Sequence, residues 1–126
     1  MSENERNHET RHAFIIQKLA AIPPVECPCG STRRGLVAPT NETCTLHLLQ
    51  VSRDSKSHYH RRLTEVYYFL SGEGFMELDG KLFSVEEGVA VFIPPGTRHR
   101  AVVGGQPLKV LVYVTPPFDP ADEWFD

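Results

Sequence analysis

The sequence predicts an all-β chain folded as an antiparallel jelly-roll β-barrel. Two observations carry this. Runs of four to eight β-forming residues recur from Arg34 to Thr115, and short turns rich in Gly, Pro and Asp separate them, the rhythm of a sandwich or barrel. No long helical periodicity lies between the runs, so a βαβ architecture is not expected. The 126 residues fit one domain of ordinary size.

In order along the chain, residues 1–33 read as an N-terminal arm. Its first twelve residues, "MSENERNHETRH", are polar and aperiodic, so His8 and His12 are expected to be solvated. "AFIIQKLAAIPP" reads as a short helix or an edge strand, and "VECPCGSTRR" has loop chemistry. The barrel is expected over 34–118. "RGLVAPT" and "CTLHLLQV" are its first strands, and "SRDSKS" is a polar break. "HYH" and "EVYYFL" flank a second break, "RRLT". "FMEL" and "KLFSV" are joined by Asp79-Gly80, the strongest short hairpin signal. "VAVFI" runs apolar into the break "PPGT", followed by "RHRAVV", the turn "GGQP" and the last strong strand, "LKVLVYVT". Residues 119–126 form a C-terminal tail, the end of a stretch rich in proline and acid.

Composition narrows the function. A formal net charge of −3 with no concentrated basic face argues against a nucleic-acid partner. No apolar run reaches the ~20 residues of a membrane span, and the N-terminus lacks a signal-peptide core. A cytoplasmic location is therefore expected. Three cysteines, Cys27, Cys29 and Cys44, do not make a disulfide framework, and "CPCG" has neither the spacing nor the second pair of a zinc ribbon. They read as reduced thiols.

The histidines point to a metal. Residues i and i+2 of a strand share a face, so His58 and His60 form a natural chelating pair for a divalent ion. Glu65 starts the next apolar strand, with Tyr67 and Phe69 on its face. A carboxylate buried among aromatics is costly unless a cation meets it. His99 ends the segment "GVAVFIPPGTRH" and is a fourth candidate.

The spacing H-x-H-x4-E-x6-G, carried by His58, His60, Glu65 and Gly72, resembles the first cupin motif. G-x5-P-x-G-x2-H, carried by Gly88, Pro94, Gly96 and His99, resembles the second. The resemblance covers about Arg34 to Pro117. Two positions depart from the family pattern: Ser52 stands where the first motif usually begins with glycine, and Val103 where the second usually ends with asparagine. Both lie outside the ligand set. The resemblance implies a small barrel holding a divalent transition metal (Fe, Mn, Ni, Zn or Cu) on His58, His60, Glu65 and His99. It also implies a small-molecule ligand or substrate and a homodimer paired through its sheets.

Tyr67, two residues past Glu65, should line the same cavity. In cupins that cleave dimethylsulfoniopropionate a tyrosine at this place is implicated as the base; the simpler reading is a wall residue beside Phe69. Arg98 and Arg100 alternate with His99 and are expected to point away from the metal. His47 reads as a hydrogen-bonded sheet residue, with a place lining the barrel beside the metal as the alternative. The expected function is a small-molecule metalloenzyme, whether a dioxygenase, an isomerase or cyclase, or a lyase. The alternative is a non-enzymatic cupin that binds a sugar or other metabolite.

Overall fold

The computed structural model describes residues 13–126; the expected polar arm, with His8 and His12, lies outside them. Among the described residues, nine strands make two antiparallel sheets: β1 (Val25–Cys27), β2 (Gly30–Gly35), β3 (Thr45–Val51), β4 (Thr64–Ser71), β5 (Glu73–Leu78), β6 (Lys81–Glu86), β7 (Ala90–Ile93), β8 (His99–Val103) and β9 (Leu108–Thr115). One sheet runs β1-β2-β3-β9-β4-β7 and the other β6-β5-β8. Together they form the expected jelly-roll barrel. No helix among the described residues is long and apolar enough to cross a membrane.

The core follows the period-two rule for strands. Glu65, Tyr67 and Phe69 of β4 and Leu108, Val110, Val112 and Val114 of β9 are all buried. Met76 is fully buried while Phe75 is 39% exposed, so Met76 marks the inward face of β5. Asp79 and Gly80 both have positive φ, 49° and 82°, the geometry of the two-residue turn that the Asp-Gly pair predicts.

The first part of the chain differs from its expectation in three places. "AFIIQKLAAIPP" is neither a regular helix nor a strand; it holds a single 3-10 turn at Leu19–Ala21. "VECPCGSTRR", read as a loop, is the β1–β2 hairpin, so the sheet begins before residue 34. "RGLVAPT", read as a strand, is mostly irregular. Leu36 takes a φ of 63°, which ends the extended run. Asn41 then pins the loop by donating to the carbonyls of Leu36 and Cys44, both at 2.7 Å. Its side chain offers the backbone an alternative to the sheet ladder.

The last residues pack against the barrel. Tyr59 and Trp124 exchange backbone hydrogen bonds, each at 2.9 Å. The Arg61 guanidinium lies 3.5 Å from the centre of the Trp124 ring, and that of Arg98 lies 3.6 Å from the centre of the Tyr59 ring. Arg98 also binds both carboxylate oxygens of Asp126, each at 2.9 Å.

Candidate metal centre

Three backbone contacts bring the two motif segments together. His58 donates to the His99 carbonyl at 3.1 Å, and His99 donates to that of His58 at 2.8 Å. Gly96 donates to the His60 carbonyl at 2.8 Å. The "HYH" segment makes only isolated bridges, His58 to His99 and Tyr59 to Trp124, rather than a full strand. Glu65 sits in the middle of its sheet, opposite Ile93 on β7 and Val114 on β9.

The ring nitrogens of His58, His60 and His99 that could ligate an ion lie within 4.8 Å of one another. Their other nitrogens face backbone carbonyls: His60 Nδ1 is 2.5 Å from Asp122 O, His99 Nδ1 2.8 Å from Thr97 O and His58 Nδ1 3.3 Å from Lys56 O. A carbonyl only accepts, so each Nδ1 carries a proton and each neutral ring keeps its Nε2 lone pair free. Such outer contacts typically orient metal-ligating histidines.

Glu65 Oε1 lies 2.9 Å from His60 Nε2 and 3.0 Å from His99 Nε2. Yet these three buried atoms form no hydrogen bond of good geometry. In the neutral tautomers, two lone pairs meet a carboxylate oxygen in a place that water barely reaches. Such an arrangement is unfavourable without positive charge between the groups. Burial favours the neutral acid of Glu65, but positive charge on the His60 and His99 rings outweighs it and would hold the Glu65 pKa at about 2. Burial opposes protonation of His60, but Glu65 beside it prevails and raises the pKa. His58 is pushed down to about 4 by burial and by His99. Three imidazole nitrogens within 4.8 Å of one another, two of them beside the Glu65 carboxylate, fit a divalent transition metal in charge and donor type.

A cavity of ≈ 350 Å³ reaches the cluster through His58 and Glu65. His47, Tyr67, Val112 and Phe118 form part of its wall. Tyr67 packs on Phe69 and, edge to face, on His99, and burial and Glu65 push its phenol pKa well up. His47 is hydrogen-bonded, as expected, with Nε2 2.8 Å from Thr45 Oγ1, and it also lines the cavity. Arg100 pairs with Glu77 at 2.9 Å and Arg98 with Asp126, so neither reaches the cluster.

Sequence reasoning missed Asp122. Its carboxylate is buried and accepts from the amides of Arg61, Arg62 and Leu63 at 2.9, 2.9 and 3.0 Å, and from the Trp124 indole at 3.0 Å. Those amides lie between His60 and Glu65, so the tail fixes the loop that joins the two. Only the composition of "PADEWFD" hinted at this residue, and acidic tails are usually solvated.

A small β-barrel with a histidine cluster facing an internal cavity defines a class of barrel proteins able to hold a metal ion. Residues 45–114 match the Cupin domain family. The chain belongs to the cupin family. It is 33% identical over 107 residues to an uncharacterised protein of Methanocaldococcus jannaschii, covering 80% of this chain and 86% of the relative. A crystal structure of a protein from Planctomyces limnophilus superposes with a TM-score of 0.83 at 33% identity, covering 91% of this chain and 99% of the other. A glucose-6-phosphate isomerase of Pyrococcus furiosus is 40% identical over 65 residues, which cover 45% of this chain and 34% of the isomerase.

Proposed function

We propose that this protein is a small-molecule metalloenzyme, with a divalent transition metal held by His58, His60, His99 and Glu65. The observation behind this reading is the convergence of three buried atoms, Glu65 Oε1 and the Nε2 atoms of His60 and His99, with no bonded partner among the described residues. Three neutral imidazoles and one carboxylate would leave the filled site with a charge near +1. A metal so bound supplies Lewis acidity to a substrate oxygen or activates a water.

The chain's own residues supply the rest. The cavity gives a small molecule a route to His58 and Glu65. Tyr67, kept protonated at neutral pH, is a donor to a substrate atom in the cavity rather than a ready base. Among the reaction classes, isomerisation draws support from the Pyrococcus furiosus isomerase, although that likeness spans about a third of that enzyme. The reading also includes a cytoplasmic location and a homodimer. Exposed Phe14 and Ile16 offer apolar surface for a dimer contact.

The test is metal analysis of protein purified without added metal. We expect close to one ion per chain, and its loss in His99→Ala together with the thermal stabilisation that the ion confers. Absence of near-stoichiometric metal from the wild type, or unchanged metal in the variant, would sink the assignment. A small molecule that raises Tm but is never turned over would favour a binding cupin instead.

A further inference from the structure

We propose that Cys27 and Cys29 form a redox-active dithiol that hydroperoxides oxidise to an intrachain disulfide. The pair occupies the β1–β2 turn, where Cys27 pairs with Gly30 and Pro28-Cys29 are the two turn residues. Both thiols are free and half-buried, and their Sγ atoms lie 3.2 Å apart. A disulfide bond is ~2.05 Å long, so closure needs a relative movement of only about 1 Å. Both residues also line the cavity that reaches His58 and Glu65, which gives a small oxidant a path to them.

The turn is held from outside. The Cys29 carbonyl accepts from the amides of Ser52 and Arg53 at 2.8 and 3.2 Å. The Arg53 side chain donates to the carbonyls of Pro28 and Cys27 at 2.9 and 3.1 Å. A Cβ on Gly30 would stand 2.1 Å from the Gln50 carbonyl, so only glycine lets the turn sit this close to β3. Two sulfurs with so little freedom meet each other more readily than either meets another chain.

Their environments give them different tasks. The side-chain contact with Cys29, together with backbone hydrogen bonds and Arg53, holds the Cys27 pKa at about 6 despite burial. The same contact and burial push Cys29 up. Cys27 is thus the thiolate, the nucleophilic form, and Cys29 the resolving thiol. The Cys27 thiolate attacks one oxygen of the hydroperoxide: an S–O bond forms, the O–O bond breaks, and the departing alkoxide takes a proton. The Cys29 sulfur then displaces the hydroxyl of the sulfenic acid, which leaves as water with the Cys29 proton. Two thiols and one hydroperoxide give one disulfide, one alcohol and one water, with two electrons passed to the peroxide.

The test treats the fully reduced full-length chain with one equivalent of hydrogen peroxide, with and without prior chelation, and maps thiols by alkylation and mass spectrometry. In both samples we expect one peptide carrying Cys27 and Cys29 to lose the mass of two hydrogens, while Cys44 stays alkylatable. Cys29→Ser should stop at a sulfenic acid on Cys27 that dimedone traps. Iodoacetamide labelling of Cys27 in the untreated chain should titrate with a midpoint near pH 6, against ~8.5 for an ordinary thiol. Disulfides that are intermolecular or include Cys44, or a Cys27 labelling midpoint near that of an ordinary thiol, would overturn the proposal. If the serine variant misfolds by circular dichroism, the wild-type mass map and the labelling profile decide the matter.

Discussion

Replacing Asp122 by Asn tests whether the tail holds the ligand loop. The substitution keeps size and shape but turns one acceptor oxygen into an NH2 group. The carboxylate receives four donors, two on each oxygen. Whichever way the amide turns, two donors then face a group that cannot accept. A hydrogen bond to a charged acceptor contributes ~1.5–3 kcal/mol net, so losing two costs about 3–6 kcal/mol. The Arg61 and Arg62 amides are only partly buried and can recover water, which brings the expected loss to the lower end, ~3 kcal/mol. For a domain of this size that lowers Tm by roughly 12 °C.

The same carboxylate makes the loss dependent on pH. Its hydrogen bonds outweigh its burial and hold its pKa well below the ordinary carboxyl range. A depressed folded-state pKa contributes stability above the unfolded value of ~3.9, and that contribution is lost as pH falls toward the folded value. The gap between wild type and Asp122→Asn should therefore be full at pH 7 and narrow below about pH 4. Differential scanning calorimetry across this range is the assay. A variant within ~2 °C of wild type at pH 7 would refute the reasoning, because it would mean that water or another group satisfies those donors equally well.

Three further outcomes follow from local geometry. Gly72→Ala should cost ~3 kcal/mol or more, since its φ is 92° and a Cβ would stand 2.5 Å from the Pro107 carbonyl; urea unfolding measures it. Gly80→Ala should cost only ~1 kcal/mol in the same assay, because its φ is 82° but nothing lies within 4 Å of the added carbon. Tyr67→Phe should keep its full metal content by elemental analysis, since the ring is a wall and not a ligand; loss of the ion would put the phenol among the ligands.

Much of the barrel was legible because its signals are local. The Asp79-Gly80 turn and the alternation of Glu65, Tyr67 and Phe69 each depend on a few neighbouring residues. The spacing from His58 to Glu65, with His99 after its proline turn, marked the residues that the fold brings together. What was not legible depends on partners far along the chain. Asp122 meets Leu63 across 59 positions, and no periodicity in the tail announces it. "CPCGSTRR" has the residues of a loop, yet its backbone groups find partners on β3, and that pairing overrides local composition. Leu36 ends a strand by adopting a conformation that leucine rarely takes, which no propensity would suggest.

The carbonyls of Lys56, Thr97 and Asp122 settle, before any ion arrives, which edge of each imidazole faces inward. Under the metal-binding reading, folding would already have met the entropy cost of aligning the histidines, and an ion would find its donors oriented. If the centre takes a metal as proposed, each candidate ion would meet the same three imidazole edges, so different ions could be compared in one geometry.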